Sequence, residues 1–143
     1  MLSILVASHG KFASGLKSSV EILTGMGSRL TTIDAYLDDR DYTQDIKRFI
    51  ETAERPAIIF TDLLGGSVNQ KVVLAAAKQK NIYIVTQMNL AIILAVLLDS
   101  EPFSVQHLDE LITESQVKRV EVFSDNKDED MQDFFDYEGE NEQ

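Results

Sequence analysis

The chain has no cysteine and no tryptophan, and only two prolines and two histidines among 143 residues. Without thiols there is no disulfide framework and no thiolate chemistry. That suits a reducing cytoplasm, the compartment expected here. No apolar run reaches the roughly 18 residues of a membrane span; the longest, LAIILAVLL at 90–98, is too short. No basic stretch precedes the first apolar run, so no signal peptide is read and the mature chain is expected to begin at Met1. Positive charge is scarce. Thirteen Lys and Arg face 24 Asp and Glu, for a net charge of −11. Such a chain repels phosphodiester backbones, so nucleic acid is not an expected partner.

The negative charge is uneven. Residues 125–143 hold nine acids and one base, Lys127. This stretch reads as a solvated, disordered tail behind a single domain over 1–124. A domain of that length buries enough surface for a core without staples.

Four segments are nearly continuous apolar runs: 2–8, 30–36, 57–62 and 82–87. Runs of this kind suit a parallel sheet covered on both faces. Helical spacing of apolar residues separates them. It predicts helices over 12–24 (Phe12, Leu16, Val20, Leu23), 42–53 (Ile46, Phe49, Ile50, Ala53), 67–80 (Val68, Val72, Val73, Ala76) and 91–98, and a fifth from Ser104. Residues 117–123 (VKRVEVF) alternate and carry charge, as an edge strand does. The expected fold is α/β and doubly wound, with a mainly parallel four-stranded sheet of order 2-1-3-4. Helices cover both faces and a C-terminal edge strand follows.

In that order the first and third strands are neighbours, and their carboxyl ends flank the switch point where ligands bind. His9 follows the first strand and Asp62 closes the third. A carboxylate accepting from one imidazole nitrogen fixes the tautomer and leaves the other nitrogen nucleophilic. Gly10 reads as clearing space beside the ring. After Asp62 come Leu63, Leu64, Gly65, Gly66 and Ser67. The glycine pair allows close backbone approach, and Ser67 reads as the N-cap of a helix whose first turn can hold an anion. Imidazole, carboxylate and anion cradle together fit phosphoryl transfer. No metal ligand set or GxxxxGK[ST] loop is in sight, and neither metal nor cofactor is expected. Each feature alone has a blander role: a hydrogen-bonded strand-end histidine, a turn-capping aspartate, a generic loop. Their coincidence at matching strand ends favours a site. His107 is read as lying mid-helix on a solvated face. Asn89 faces the same crevice as His9 but is common turn chemistry.

The segments ILVASHGKFASGL, IIFTDLLGGSVNQ and VTQMNLAIIL resemble the enzyme IIA domain of the mannose-type (mannose/fructose/sorbose) sugar phosphotransferase system, in order and spacing, over residues 1–124. The resemblance implies a cytoplasmic phosphotransferase acting through phosphohistidine. His9 would accept a phosphoryl group from the phosphocarrier HPr and pass it to an enzyme IIB partner, which serves membrane IIC and IID subunits. Asp62 falls on the aspartate that bonds the histidine, and Ser67 on the serine near the phosphoryl group. Gly65 and Gly66 complete the phosphate-binding loop. The family is a homodimer that exchanges a C-terminal strand, matched here by 117–123. Partner docking is expected on Lys11, Phe12, Leu63 and Leu64. Val68 and Ala91 stand where many members have proline, so loop shape is expected to differ. Members that fuse IIA to IIB do so through a linker, so IIB is expected on a separate chain. The resemblance points to no particular sugar. Two other readings stand beside it: the phosphocarrier subunit of a dihydroxyacetone kinase system, and a non-catalytic module binding a small anion.

Overall fold

The computed structural model of the chain describes residues 1–123. The acidic tail at 125–143 lies outside the described residues. In chain order the elements are β1 (Ser3–His9), α1 (Phe12–Thr24), a short 3-10 turn, β2 (Leu30–Ala35), α2 (Thr43–Thr52), β3 (Ala57–Thr61), α3 (Ser67–Ala76), β4 (Ile82–Val85), α4 (Leu90–Leu97) and α5 (Val105–Glu114). All strand pairs are parallel, in the order β2-β1-β3-β4. This is the doubly wound α/β fold expected from the sequence.

The apolar runs are explained by two cores. Successive strand side chains point to opposite faces. Ile4, Val6, Ile58 and Phe60 face α1, α4 and α5, where they meet Leu16, Val20, Ile93 and Leu108. Leu5, Ala7, Ile33 and Ile59 face α2 and α3, where they meet Ile46, Phe49, Val68 and Val72. Each fully buried Ile, Leu or Phe contributes roughly 1.5–3 kcal/mol. The chain steps from β1 outward to β2, then reverses past β1 to β3. Right-handed crossovers require the connecting helix to change face at that reversal, and it does: α1 lies on one face, α2 and α3 on the other. The gap between β1 and β3 at their carboxyl ends is the switch point.

Several element ends differ from expectation. The buried stripe of α1 is Ala13, Leu16 and Val20; Phe12 and Leu23 turn to solvent. Helix α3 stops at Ala76 because Ala77 is extended and Lys78 adopts a positive φ, which turns the chain toward β4; Val73 is exposed. Residues 117–123, expected as an edge strand, are not in strand conformation, and Val117, Val120 and Val122 are exposed.

His107 is not on a solvated face. It sits in the first turn of α5, whose N-cap Ser104 accepts from its backbone N–H, and the loop after α4 folds acids around its ring. Asp99 Oδ2 lies 2.8 Å from Nε2, poorly aligned for a hydrogen bond, while Glu101 and Glu110 lie 3.4 and 3.5 Å from Nδ1. Asp99 first, against the opposing effect of partial burial and with Glu110 in support, holds the imidazole above its ordinary pKa. The ring borders a cavity of about 330 Å³ lined by Leu2, Ile4, Ile58 and Phe103 at the amino ends of the strands. That cavity is at the opposite end of the sheet from His9.

Candidate active site

Strand β1 carries His9 to the switch point. In register, His9 pairs with Ala35 of β2, and Ala7 pairs with Thr61 of β3. The residues that follow Ala35 and Thr61, Tyr36 and Asp62, therefore flank the histidine. Gly10 turns the chain at φ 58° and its N–H donates to Ala35 O. The space where its Cβ would lie is open, so its role is conformational rather than clearance. Helix α1 then starts without a cap of its own. Ser8 Oγ accepts from Ala13 N (2.7 Å) and Asp34 Oδ1 accepts from Ser14 N (3.0 Å), which ties the helix start to β1 and β2.

Asp62 Oδ2 accepts twice from His9, from the backbone N–H at 2.7 Å and from Nδ1 at 2.8 Å. Burial pushes the Asp62 carboxyl up; the His9 backbone N–H and then the ring pull it down further, so it lies below its ordinary value. Asp62 is therefore a carboxylate that can only accept, and Nδ1 carries the proton. In the neutral ring Nε2 is left with its lone pair, 3.1 Å from Ser67 Oγ. The carboxylate is shielded and the ring is open: their side chains are 13% and 44% exposed.

Loop 62–66 shapes the other wall. Gly65 turns at φ 75°, and Gln70 Nε2 donates to its carbonyl. A Cβ on Gly66 would sit 3.2 Å from Leu63 O and 3.5 Å from His9 Cε1, so glycine allows the close approach. The Gly66 N–H donates to Leu63 O and is already engaged. Ser67 is not the N-cap. Gly66 holds that position with extended backbone, and Ser67 is the first helical residue, its hydroxyl turned to the histidine. Leu63 and Leu64 are 58% and 66% exposed, and Phe12 is 47% exposed beside an exposed Lys11. Val68 is fully buried against the core, and Ala91 is exposed in α4. Asn89 caps α4 by accepting from Ile92 N, and its side-chain amide donates to Ser115 O.

One neighbour was missed from the sequence. The ring of Tyr36 stacks on His9, with centroids 5.3 Å apart and planes 24° from parallel. Its hydroxyl lies 2.8 Å from Ser67 Oγ and 3.1 Å from Tyr42 Oη. The Ser67 hydroxyl first, then that of Tyr42, can turn to donate to a Tyr36 phenolate, which holds Tyr36 below its ordinary pKa. Tyr42 is pushed up to about 12, chiefly by burial and then by its bond to Tyr36. The signal available was topological: Tyr36 ends the strand next to β1.

Fold and site together define a doubly wound α/β protein with a carboxylate-held histidine at its switch point, an arrangement suited to carrying a phosphoryl group. The chain belongs to the EIIA-man family, described as PTS system fructose IIA component, whose model matches residues 3–116. It is thus a IIA component of a sugar phosphotransferase system, a transferase in the general sense. Solved structures agree. A protein from Klebsiella pneumoniae subsp. pneumoniae assigned to a phosphoenolpyruvate-dependent sugar phosphotransferase system permease is 28% identical, over 80% of this chain and 82% of that one, with TM-score 0.66. The phosphotransferase system component EIIA of Streptococcus agalactiae is 26% identical, over 80% and 92%, with TM-score 0.64. A PTS IIA protein associated with the fucose utilization operon of Streptococcus pneumoniae is 23% identical, over 82% and 92%, with TM-score 0.69, and shares the fold. No curated protein matches the chain. Among the described residues, no helix is long and apolar enough to cross a membrane.

Proposed function

We propose that His9 is the phosphoryl acceptor: it takes the group from phospho-HPr on Nε2 and hands it to an enzyme IIB protein. The observation that supports this most is the pairing of Nδ1 with the Asp62 carboxylate while Nε2 faces Ser67 and solvent. As Nε2 attacks, the P–Nε2 bond forms, the donor P–N bond breaks, and the donor nitrogen keeps that electron pair. The proton stays on Nδ1, and Asp62 offsets the positive charge gained by the ring. Ser67 and the first turn of α3 supply donors to the phosphoryl oxygens, with Gly65 and Gly66 keeping the loop close. Lys11, Phe12, Leu63 and Leu64 form the docking rim used in turn by HPr and IIB. The protein acts in the cytoplasm as a homodimer in which 117–123 adds to the partner's sheet, and it serves IIC and IID subunits only through IIB.

The test is labelling with radioactive phosphoenolpyruvate, enzyme I and HPr. The parent chain and His107→Ala should take up acid-labile phosphate, and His9→Gln should take up none. Chase of the label onto a IIB protein separates this role from that of a dihydroxyacetone kinase carrier. An unlabelled parent chain leaves the anion-binding module, and a fully labelled His9→Gln refutes the assignment.

A further inference from the structure

We infer that Tyr36 is a positioning residue for the phosphoryl site, acting on His9 through the Ser67 hydroxyl. The inference rests on the proposed role of His9. It follows from hydrogen-bond bookkeeping along one chain of groups. Nδ1 carries the imidazole proton, because Asp62 Oδ2 accepts there. In the neutral, nucleophilic ring Nε2 must then accept, so Ser67 Oγ–H donates to it across 3.1 Å. The lone pairs of Ser67 Oγ are left to accept, and Tyr36 Oη–H donates to it across 2.8 Å. Tyr42, whose hydroxyl lies 3.1 Å from that of Tyr36, donates in turn. The direction of the whole run, Tyr42 to Tyr36 to Ser67 to Nε2, is set by the carboxylate at its far end. Tyr36 thus aims the serine proton at the atom that attacks phosphorus. Once the phosphoryl group occupies Nε2, the same proton is aimed at a phosphoryl oxygen.

The backbone supports this role. Tyr36 has φ 69°, a conformation that a bulky residue adopts only when its surroundings hold it. The ring that results lies flat on His9, and Tyr42 packs edge-on behind it at 5.2 Å. Nothing in the fold of β2 needs this, since Tyr36 lies past the strand end and is 57% exposed. The ring therefore has two separable effects: the stack sets the imidazole plane, and the hydroxyl sets the serine.

Tyr36→Phe separates them, keeping the stack and losing the hydroxyl. The measurements are the rates of His9 phosphorylation by phospho-HPr and by phosphoramidate, a small donor with no protein surface to dock. A double-mutant cycle adds Ser67→Ala and Tyr36→Phe/Ser67→Ala. The expected result is a roughly 5–30-fold slower rate for Tyr36→Phe with either donor, the range of one hydrogen bond of about 1–2 kcal/mol. On the Ser67→Ala background the further loss should vanish. The ¹⁵N shifts of the His9 ring should still report Nδ1–H in Tyr36→Phe. Three results overturn the inference: an unchanged rate, a loss confined to phospho-HPr (which makes Tyr36 a docking contact), or additive losses in the cycle. A parent chain that takes no phosphate on His9 instead refutes the carrier role itself.

Discussion

Replacing Asp62 by Asn tests how much of the histidine's reactivity is charge and how much is tautomer. In general an amide beside an imidazole can present either its oxygen or its NH₂ to the ring. Here the choice is constrained. The His9 backbone N–H points at the Oδ2 position from 2.7 Å and requires an acceptor. The amide oxygen of the substituted side chain must therefore take that position, and it still accepts from Nδ1. The reactive tautomer survives and only the negative charge is lost. That charge acts on the positive charge developing on the ring. With Asp62 shielded and His9 about half open, the attraction lies between the roughly 1 kcal/mol of water and the 4 kcal/mol of a protein surface at such distances. A loss of about 2 kcal/mol corresponds to a roughly 30-fold slower transfer. Single-turnover rapid-quench transfer from phospho-HPr measures it, with the half-saturating HPr concentration unchanged because the carboxylate lies behind the ring. The NH₂ takes the place of Oδ1, which is buried with no partner. An unpaired donor there costs about 1–2 kcal/mol and a few degrees of Tm. A loss near 10⁴-fold would mean that the tautomer flips and that the backbone N–H does not hold the amide. An unchanged rate would mean that Asp62 only closes its turn.

Ser8→Ala removes the acceptor for the buried Ala13 N–H and should cost about 1–2 kcal/mol in denaturant unfolding; a change under ~0.3 kcal/mol would show that α1 starts without it. His107 has a raised pKa, so the stability it adds is full below about pH 6.5 and is lost as pH rises through its higher folded value. Tm should therefore fall from pH 6 to pH 9 in the parent and stay flatter in His107→Gln; equal slopes would refute this. Removing residues 117–143 should give monomers or aggregates while removing 126–143 leaves a dimer, as read by light scattering. A parent chain monomeric at all concentrations would count against strand exchange. Phe12→Ala should raise the HPr concentration needed for half-maximal labelling with Tm unchanged, and a sharp Tm loss would make Phe12 a core residue instead.

Much of this molecule is legible because its strands announce themselves. Ile4 to Ala7 and Ala57 to Phe60 are apolar without alternation because both faces are covered, and that alone implies a parallel sheet. From there the switch point between β1 and β3 brings His9 and Asp62 together. What escaped was decided by backbone torsion or by distant packing. Tyr36 reaches His9 because of a positive φ that no propensity assigns to tyrosine. Ser67 looked like a cap because serine caps well, yet the glycine before it takes the cap conformation and frees the hydroxyl for the ring. His107 looked solvated among polar helix neighbours, but Asp99 and Glu101 arrive from the preceding loop. The 117–123 alternation is a strand pattern, yet these residues are not in strand conformation here.

The unequal exposure of Asp62 and His9 fits the proposed carrier role. Burying the whole pair would strengthen the attraction between Asp62 and a charged imidazole ring. It would also close the ring to other proteins, and a carrier has to be reached by a donor and then by an acceptor. The fold separates the two requirements. Asp62 sits back at the end of β3, under its own loop, where shielding maintains its effect on the ring; Nε2 projects outward, with Ser67 beside it. In the segments that follow His9 and Asp62, Phe12, Leu63 and Leu64 leave apolar surface in water at a cost that the free chain gains nothing from. In the proposed role that cost is recovered when HPr or IIB covers them. A modest rim of this kind suits weak, rapidly released complexes, since a carrier held tightly by its donor could not turn to its acceptor. On the proposed carrier role, the rim has only proteins to distinguish, which leaves specificity for the sugar to other subunits.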